Sequence, residues 1–292
     1  MERIVDAIFK TEAAALGYST DKIKNLRERY NDYVFSITAT VHDHVPIIRN
    51  EREVFEHLAG VFYSNFDYAK RKMVLTGLES KPHPAFNCYG SSVMFADIMT
   101  DLGVDFKVAI APNHVFLVGK KYRFETTENK GKFLLNASDI GKEYPHHSIG
   151  GVDFLLAASY AMSGLHFMDE KRNKEAIGQF KKSLEINPKN SDVQYNLGLS
   201  YWKEGQYDSA IASFKAALTL NGDDGNIHYG LGISYYQKGD YNTAIKYYKL
   251  SLKEKKTTPN EVVYDGMAKA YEMVDKPAAA AKYYRMSKQK KH

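Results

Sequence analysis

The chain has 292 residues, of which 44% are hydrophobic, so it is long enough for one large domain or two of ordinary size. Its single cysteine excludes an internal disulfide framework and a thiolate zinc cluster. The formal net charge is +5, with the basic excess in the second half and no arginine-rich stripe, so we expect no nucleic-acid binding.

Three helices are predicted ahead of the cysteine, at residues 1–17, about 20–40 and 50–66, because apolar residues recur there at spacings of three and four. The segments "STDK" and "RNERE" offer capping side chains before the second and third helices. The first residues form a charged amphipathic pattern without an apolar run long enough for a secretion signal or a membrane span. We therefore expect a cytoplasmic protein that does not insert into membranes.

A fourth helix is predicted to begin at the cysteine, Cys88, and to end at Gly103. Its apolar face comprises Val93, Phe95, Ala96, Met99 and Leu102. Cys88 would then lie at the amino end of a helix, where the positive end of the helix dipole favours a thiolate.

After this helix the apolar period changes to two. This pattern predicts short strands in "FKVAIAP", "HVFLVG", "YRFETT" and "KFLLN". Helices followed by a small antiparallel sheet predict an α+β domain.

The pair Gly119 and Lys120 favours a two-residue hairpin turn between two of these strands. The predicted pairs are Val118 with Lys121, Phe116 with Arg123, and His114 with Glu125. One face would then carry the apolar residues Val115, Leu117, Tyr122 and Phe124. On the other face His114 and Glu125 would lie side by side, with Cβ atoms roughly 5 Å apart. A one-residue slip would bury the charges, so the alternation favours this register.

Cys88, His114 and Glu125 together indicate thiol acyl-transfer chemistry. A thiol becomes a good nucleophile as the thiolate, which a helix amino end and an adjacent imidazolium favour. A carboxylate orients the imidazole and stabilises the charge of the imidazolium. Cys88 would be the nucleophile, His114 the general base and then acid, and Glu125 the orienting group. The backbone N–H of Cys88 would contribute to the oxyanion site, and the adjacent Asn87 is only a weak candidate for a side-chain donor.

The order of a cysteine at a helix start, then "PNHVFLV", then "YRFETT" resembles the transglutaminase-like superfamily of papain-type folds. The motif-bearing resemblance covers about residues 86–127 and extends loosely over 1–150. It implies a covalent thioester on Cys88, resolved by water in a protease or amidase, or by an amine in a crosslinking transferase. One departure is that the acid is more often Asp in this superfamily and is Glu125 here.

The same resemblance leaves a second hypothesis open, in which the domain is catalytically silent and the protein is an adaptor. Silent members usually lack the cysteine or the histidine, so the presence of both favours activity.

Two histidine-rich segments are candidates for metal sites. "VHDHV" contributes His42, Asp43 and His44, and "PHH" contributes His146 and His147. Neither has a convincing third ligand group, so we predict no metal and no cofactor.

The second half repeats with a period of 34 residues. Small and aromatic positions recur in register: Gly164, Gly198 and Gly232; Phe167, Tyr201 and Tyr235; Ala176, Ala210 and Ala244; Phe180, Phe214 and Tyr248. These spacings resemble the tetratricopeptide repeat, which implies a solenoid of helix pairs. The predicted repeats are about 157–190, 191–224, 225–258 and, after a two-residue insertion, a looser 261–292. We accordingly predict a transglutaminase-like domain at 1–150 and repeats at 151–292.

Most of the recurring residues are expected to form the core between helices, so binding falls to other positions on the first helix of each repeat. By helical phase the predicted groove comprises Tyr195, Asn196, Leu199, Trp202, Tyr229, Ile233 and Tyr236. An apolar row of this kind fits an extended or helical segment of a protein partner or substrate. Asn226 and Gly230 stand where a clamp for chaperone tails needs a basic pair, which argues against that partner.

Overall fold

The computed structural model describes residues 1–42, 67–68, 85–86, 88–111, 114–124, 134–144, 147–222, 224–254 and 258–288. The chain divides into two compact units, Met1–Phe167 with Lys182–Pro188, and Met168–Lys181 with Lys189–His292. The helices α5 (Asp153–Asp169) and α6 (Asn173–Ile186) contribute to both units. The predicted boundary between residues 150 and 151 stays a prediction.

Three helices dominate the described part of the first unit: α1 (Glu2–Leu16), α2 (Thr20–His42) and α3 (Cys88–Asp101). They confirm the helices predicted at 1–17 and about 20–40 and the helix start at Cys88. A glycine in the left-handed conformation, Gly17, follows α1 with a φ of 65°. The helix predicted at 50–66 lies outside the described residues.

A five-stranded antiparallel sheet follows α3. Its strands are β3 (Lys107–Ala111), β4 (His114–Val118), β5 (Tyr122–Phe124), β6 (Leu134–Asn136) and β7 (Ser148–Gly150), in the order β6-β5-β4-β3-β7. A separate parallel pair consists of β1 (Asp67–Tyr68) and β2 (Ala85–Phe86). The four strands predicted after Cys88 are confirmed as β3 to β6. Strand β7 was not predicted, since its residues Ser148–Gly150 include a single apolar side chain, Ile149, and so show no alternation.

The predicted register of the β4–β5 hairpin is wrong. Val118 pairs with Arg123 and Leu117 with Phe124, rather than Val118 with Lys121 and Phe116 with Arg123. The observed register differs from the predicted one by two residues. A two-residue shift returns every side chain to the same face, so the alternation that excluded a one-residue slip could not exclude this one. The predicted pair of His114 with Glu125 includes a residue outside the described part of the chain.

Both faces of the central strands are buried. Val108, Ile110, Val115 and Leu117 belong to the core that includes α1, α2 and α3. The opposite face contributes Ala109, Ala111, Phe116 and Val118 to a smaller cluster with Ile140, which lies on the short helix α4 (Ile140–Glu143). The face that was expected to be polar is therefore covered as well, and Arg123 on it is fully buried.

Six helices follow α6 in the second unit as antiparallel pairs: α7 (Ser191–Lys203), α8 (Tyr207–Asn221), α9 (Gly225–Gln237), α10 (Tyr241–Lys253), α11 (Asn260–Met273) and α12 (Pro277–Lys288). They confirm the helical repeats predicted from the 34-residue period. Side-chain caps mark three of the starts, since Asn190, Asp224 and Asp240 accept hydrogen bonds from backbone N–H groups of the first turns of α7, α9 and α10.

Aromatic rings of the second helices pack against glycines of the first helices. A Cβ added at Gly198 or at Gly230 would lie 2.7 Å from the ring of Phe214, so this ring fits only because both neighbours lack side chains. The ring of Tyr248 packs in the same way against Gly232 and Gly266, where an added Cβ would approach within 2.6 Å and 2.9 Å. The expectation that the recurring residues form the core between helices is confirmed for Gly198, Gly232, Phe214 and Tyr248.

Candidate functional site

The helix α3 begins at Cys88 and packs against β4. Ser92, one helical turn after Cys88, donates a hydrogen bond from its Oγ to the carbonyl oxygen of Val115 over 3.2 Å. Val115 follows His114, the first residue of β4. The amino end of α3 is therefore held beside the start of this strand. The side chains of Cys88 and Glu125 lie outside the described part of the structure.

The imidazole of His114 belongs to an aromatic and cationic cluster. Its ring centroid lies 5.3 Å from that of Phe116 and 5.7 Å from that of Tyr144. The guanidinium of the buried Arg123 lies 5.4 Å from the ring centroid of Tyr144. His114 and Phe116 share a face of β4, whereas α3 packs on the face of Val115 and Leu117. The convergence of Cys88, His114 and Glu125 on one point stays a prediction.

Two pairs of a tyrosine with a carboxylate, one buried and one partly buried, fix α3 against the first two helices. The hydroxyl of Tyr89, adjacent to Cys88, donates to Glu12 over 3.0 Å, and that of Tyr30 donates to Asp97 over 2.9 Å. Burial, and then the neighbouring carboxylate, raise the pKa of both tyrosines well above the ordinary value. Both phenols are therefore neutral donors at physiological pH.

Sequence analysis missed these pairs, although one signal was present. Glu12 follows Ile8 by four residues and Phe9 by three, so it lies on the apolar face of α1, and it is fully buried. A carboxylate at such a position needs a hydrogen-bond partner within the core. Its partner, Tyr89, comes from a helix far away in the sequence and could not be identified from periodicity.

The residues weighed as metal ligands are described only in part. His147 is half-buried, and its Nδ1 lies 2.6 Å from the carbonyl oxygen of Tyr144. The side chains of His42, Asp43, His44 and His146 lie outside the described residues. Within the described residues, no group of three or more His, Cys, Asp or Glu side chains could hold a metal ion.

The seven predicted groove residues lie on α7 and α9 and are all half-buried. Their inner edges contact the repeat core: ring centroids are 5.7 Å apart for Tyr195 and Phe214, and 6.0 Å apart for Tyr229 and Tyr248. The ring of Tyr236 lies 5.3 Å from that of Tyr241. The groove residues are thus held in place by the core beneath them, and each side chain remains partly exposed to solvent.

Two tyrosines of the groove, Tyr195 and Tyr229, are uncharged because their pKa values are raised. Burial, followed by the nearby Asp224 and Tyr229, raises the pKa of Tyr195 to about 12. Burial, and then Asp265, also raise the pKa of Tyr229. A neutral, largely aromatic row suits apolar side chains of a peptide, with hydroxyl groups left for hydrogen bonds.

The two positions at which a chaperone-tail clamp needs cations have other roles. The side-chain oxygen of Asn226 accepts hydrogen bonds from the backbone N–H and the hydroxyl of Thr258, over 3.0 Å and 2.9 Å. Gly230 makes room for the ring of Phe214. Both residues serve the packing of the repeats, so they supply no charge for a terminal carboxylate.

Comparisons with known protein families find matches in the second half of the chain. Residues 195–259 match the family described as "Tetratricopeptide repeat", and residues 164–205 match one described as "TPR repeat". Residues 164–259 contain tetratricopeptide repeats. These matches do not overlap residues 86–127, which carry the resemblance to the transglutaminase-like superfamily. No curated protein matches this chain.

Several solved structures are similar to part of the chain. A crystal structure of MamA shares 22% identity with a TM-score of 0.43, covering 51% of this chain and 81% of that chain. MamA from Desulfovibrio magneticus RS-1 shares 17% identity with a TM-score of 0.42, covering 45% and 73%. BtubC (BKLC) from P. vanneervenii shares 15% identity with a TM-score of 0.43, covering 48% and 64%.

Among the helices that the structure describes, none has the length and apolarity that crossing a membrane requires.

The Tyr30–Asp97 pair predicts a pH dependence of stability. Burial raises the pKa of Asp97 above its ordinary value of 3.8, even though the Tyr30 hydroxyl donates to it. The folded protein thus binds this proton more tightly than the unfolded chain does, so the contribution to stability is complete below the unfolded pKa. It is lost as the pH rises through the folded pKa. Asp97→Asn keeps the shape and the acceptor oxygen without the charge.

We expect the free energy of unfolding of the wild type, relative to Asp97→Asn, to fall as the pH rises from about 4 to about 7. Urea unfolding of both proteins across this range measures the difference. A difference that stays constant, or that rises with pH, would contradict the assignment.

Proposed function

We propose that the chain is a scaffold that binds a segment of a partner protein along the first helices of its repeats. The observation that carries this proposal is the half-buried, uncharged row on α7 and α9, which is defined by its seven residues above. The apolar residues of the row pack against the core clusters that contain Phe214 and Tyr248, yet each keeps part of its side chain exposed. Partly exposed apolar side chains, held on rigid helices, are typical of a peptide-binding surface.

The partner segment is expected to be apolar or aromatic rather than a charged chain terminus. The neutral tyrosines and the lack of a basic pair at Asn226 and Gly230 favour such a segment. Affinity would come from a few side chains that enter the row, with the surrounding polar groups excluding water.

The chain's only tryptophan, Trp202, lies in the groove and gives the test a direct signal. Peptides selected from a random display library on the full chain should change the emission of Trp202 when they bind. Leu199→Lys and Ile233→Lys place a charge in the row and should each weaken binding about tenfold or more, the equivalent of about 1.4 kcal/mol. Fluorescence titration measures the dissociation constants.

Phe35→Lys is the matched control, because Phe35 is 76% exposed on α2 in the other unit and receives the same change of residue type. Thermal unfolding shows which variants keep their fold. Peptides that bind folded groove variants as tightly as the wild type would overturn the proposal.

A second candidate function is cysteine-dependent acyl transfer at Cys88. One observation favours it: the bond from Ser92 to Val115 holds the amino end of α3 beside the start of β4, where His114 lies. The Cys88 thiolate would attack a carbonyl carbon and form a thioester, while His114 gives a proton to the departing amine. Water or a second amine would then release the acyl group and regenerate the thiol. Glu125 would orient the imidazole. The packing of His114 against Phe116, on the face of β4 away from α3, makes this the second candidate.

Alkylation of Cys88 against pH tests this candidate, and mass spectrometry reads it cleanly because the chain has one thiol. We expect a rate midpoint well below the free thiol pKa of about 8.5, and a shift towards that value in His114→Ala. Cys88→Ser, which carries no label, is the control. A midpoint near that of a free thiol, unchanged in His114→Ala, would exclude an activated cysteine.

A further inference from the structure

Three lysines occupy the same position in successive repeats of the second unit. Lys181, Lys215 and Lys249 lie on the second helices α6, α8 and α10 and are exposed. Each ammonium lies over a tyrosine ring of the following first helix: Lys181 over Tyr201 at 5.7 Å, Lys215 over Tyr235 at 5.7 Å, and Lys249 over Tyr271 at 5.9 Å from the centroid. We call these three lysines the lysine row. Their recurrence in register indicates a continuous surface rather than isolated charges.

Two of the three tyrosines beneath the lysine row are held in place by further stacking. Tyr235 stacks on Tyr247 with centroids 5.5 Å apart and planes at 6°, and Tyr271 stacks on Tyr283 at 5.4 Å and 1°. The negative face of an aromatic ring attracts the ammonium of a lysine above it, which favours one position of the ammonium. Single-stranded nucleic acids instead require open aromatic faces for their bases, and these rings already carry a tyrosine and a lysine.

Among the described residues, no carboxylate forms an ion pair with Lys181, Lys215 or Lys249. Other lysines of the same unit do have such partners, as in Lys238 with Asp208 and Lys269 with Asp265. The row therefore offers positive charge to a ligand without first breaking a salt bridge.

A cavity of about 420 Å³ opens where the row ends at Lys249 and Tyr271. It is lined by Asn242, Ile245, Lys246, Lys249, Leu250, Lys253, Tyr271 and Lys276. Four of these residues are lysines, and three others provide an apolar wall. The combination suits a large apolar side chain flanked by carboxylates better than a bare anion, which would gain nothing from the apolar wall.

We propose that the lysine row and this cavity bind an acidic peptide segment of a partner protein. Its carboxylates pair with the lysines, and one large apolar side chain fills the cavity. The lysines of the row lie on second helices, and Tyr271 near the end of α11 and Lys276 just before α12 complete the cavity, whereas the seven groove residues lie on first helices. The two surfaces are formed by different residues, so one can fail its test while the other passes.

A fluorescein-labelled peptide of about twelve residues, with glutamates and one central leucine, tests the proposal because it reaches about 40 Å when extended. Fluorescence anisotropy with the full chain should show saturable binding. The triple variant Lys181→Gln/Lys215→Gln/Lys249→Gln should weaken that binding about tenfold, since it removes three exposed ion pairs that each contribute modestly. In a separate titration with the wild-type protein, replacing the leucine of the peptide by glycine should also weaken binding.

The matched control is Lys203→Gln/Lys238→Gln/Lys269→Gln, which removes the same charge from exposed lysines outside the row. Its affinity for the peptide should stay within about twofold of the wild type. Equal losses in both triple variants would reduce the effect to net charge and overturn the proposal. So would an affinity for oligo-dT, for inorganic phosphate or for vesicles of anionic lipid that matches the affinity for the peptide.

Discussion

The ring of Phe214 between two glycines is the constraint on which the repeat structure depends. Gly198 on α7 and Gly230 on α9 each leave room for the ring, since a Cβ at either position would lie 2.7 Å from it. Tyr248 repeats the arrangement one unit later against Gly232 and Gly266. Because close-packed interiors tolerate little overlap, these contacts set how closely consecutive helices approach.

This packing decides which side chains are left for binding. Leu197 of α7 and Leu231 of α9 fill the core beside these rings, whereas the groove residues pack at its edge and stay half-buried. The second helices bury apolar residues such as Ile211 and Ala244 in the core, and they keep the lysines of the row exposed. Both candidate surfaces therefore consist of residues that the core packing leaves exposed or half-buried, on the first helices for the groove and on the second helices for the lysine row.

The sequence predicted the second half well because its signal is redundant. Small and aromatic residues such as Gly198, Gly232 and Phe214 recur at a fixed spacing, so each repeat independently predicts the same pair of packed helices. The lysine row recurs at that spacing too, but lysines are common on helix surfaces, and their pairing with Tyr201, Tyr235 and Tyr271 needs coordinates.

The first half was less predictable because its decisive contacts are not local. Strand alternation identified β3 to β6 and their faces, yet it could not distinguish two registers that differ by two residues. The burial of Glu12 against Tyr89 joins residues 77 positions apart, which no local pattern encodes. For the candidate catalytic residues, the sequence correctly predicted a helix start at Cys88 and a strand at His114, whereas their mutual geometry stays a prediction.

The most direct test of this account is the free energy of unfolding of two glycine variants. Denaturant unfolding, monitored by the fluorescence of Trp202, measures it. Gly198→Ala adds a methyl group against the ring of Phe214, and we expect it to cost about 1–3 kcal/mol. Gly178→Ala, on the exposed face of α6 with nothing within 4 Å of the added Cβ, should stabilise the unit by about 0.5–1 kcal/mol through helix propensity. Equal stabilisation by both substitutions would contradict the claim that glycine–aromatic contacts set the spacing of the repeats.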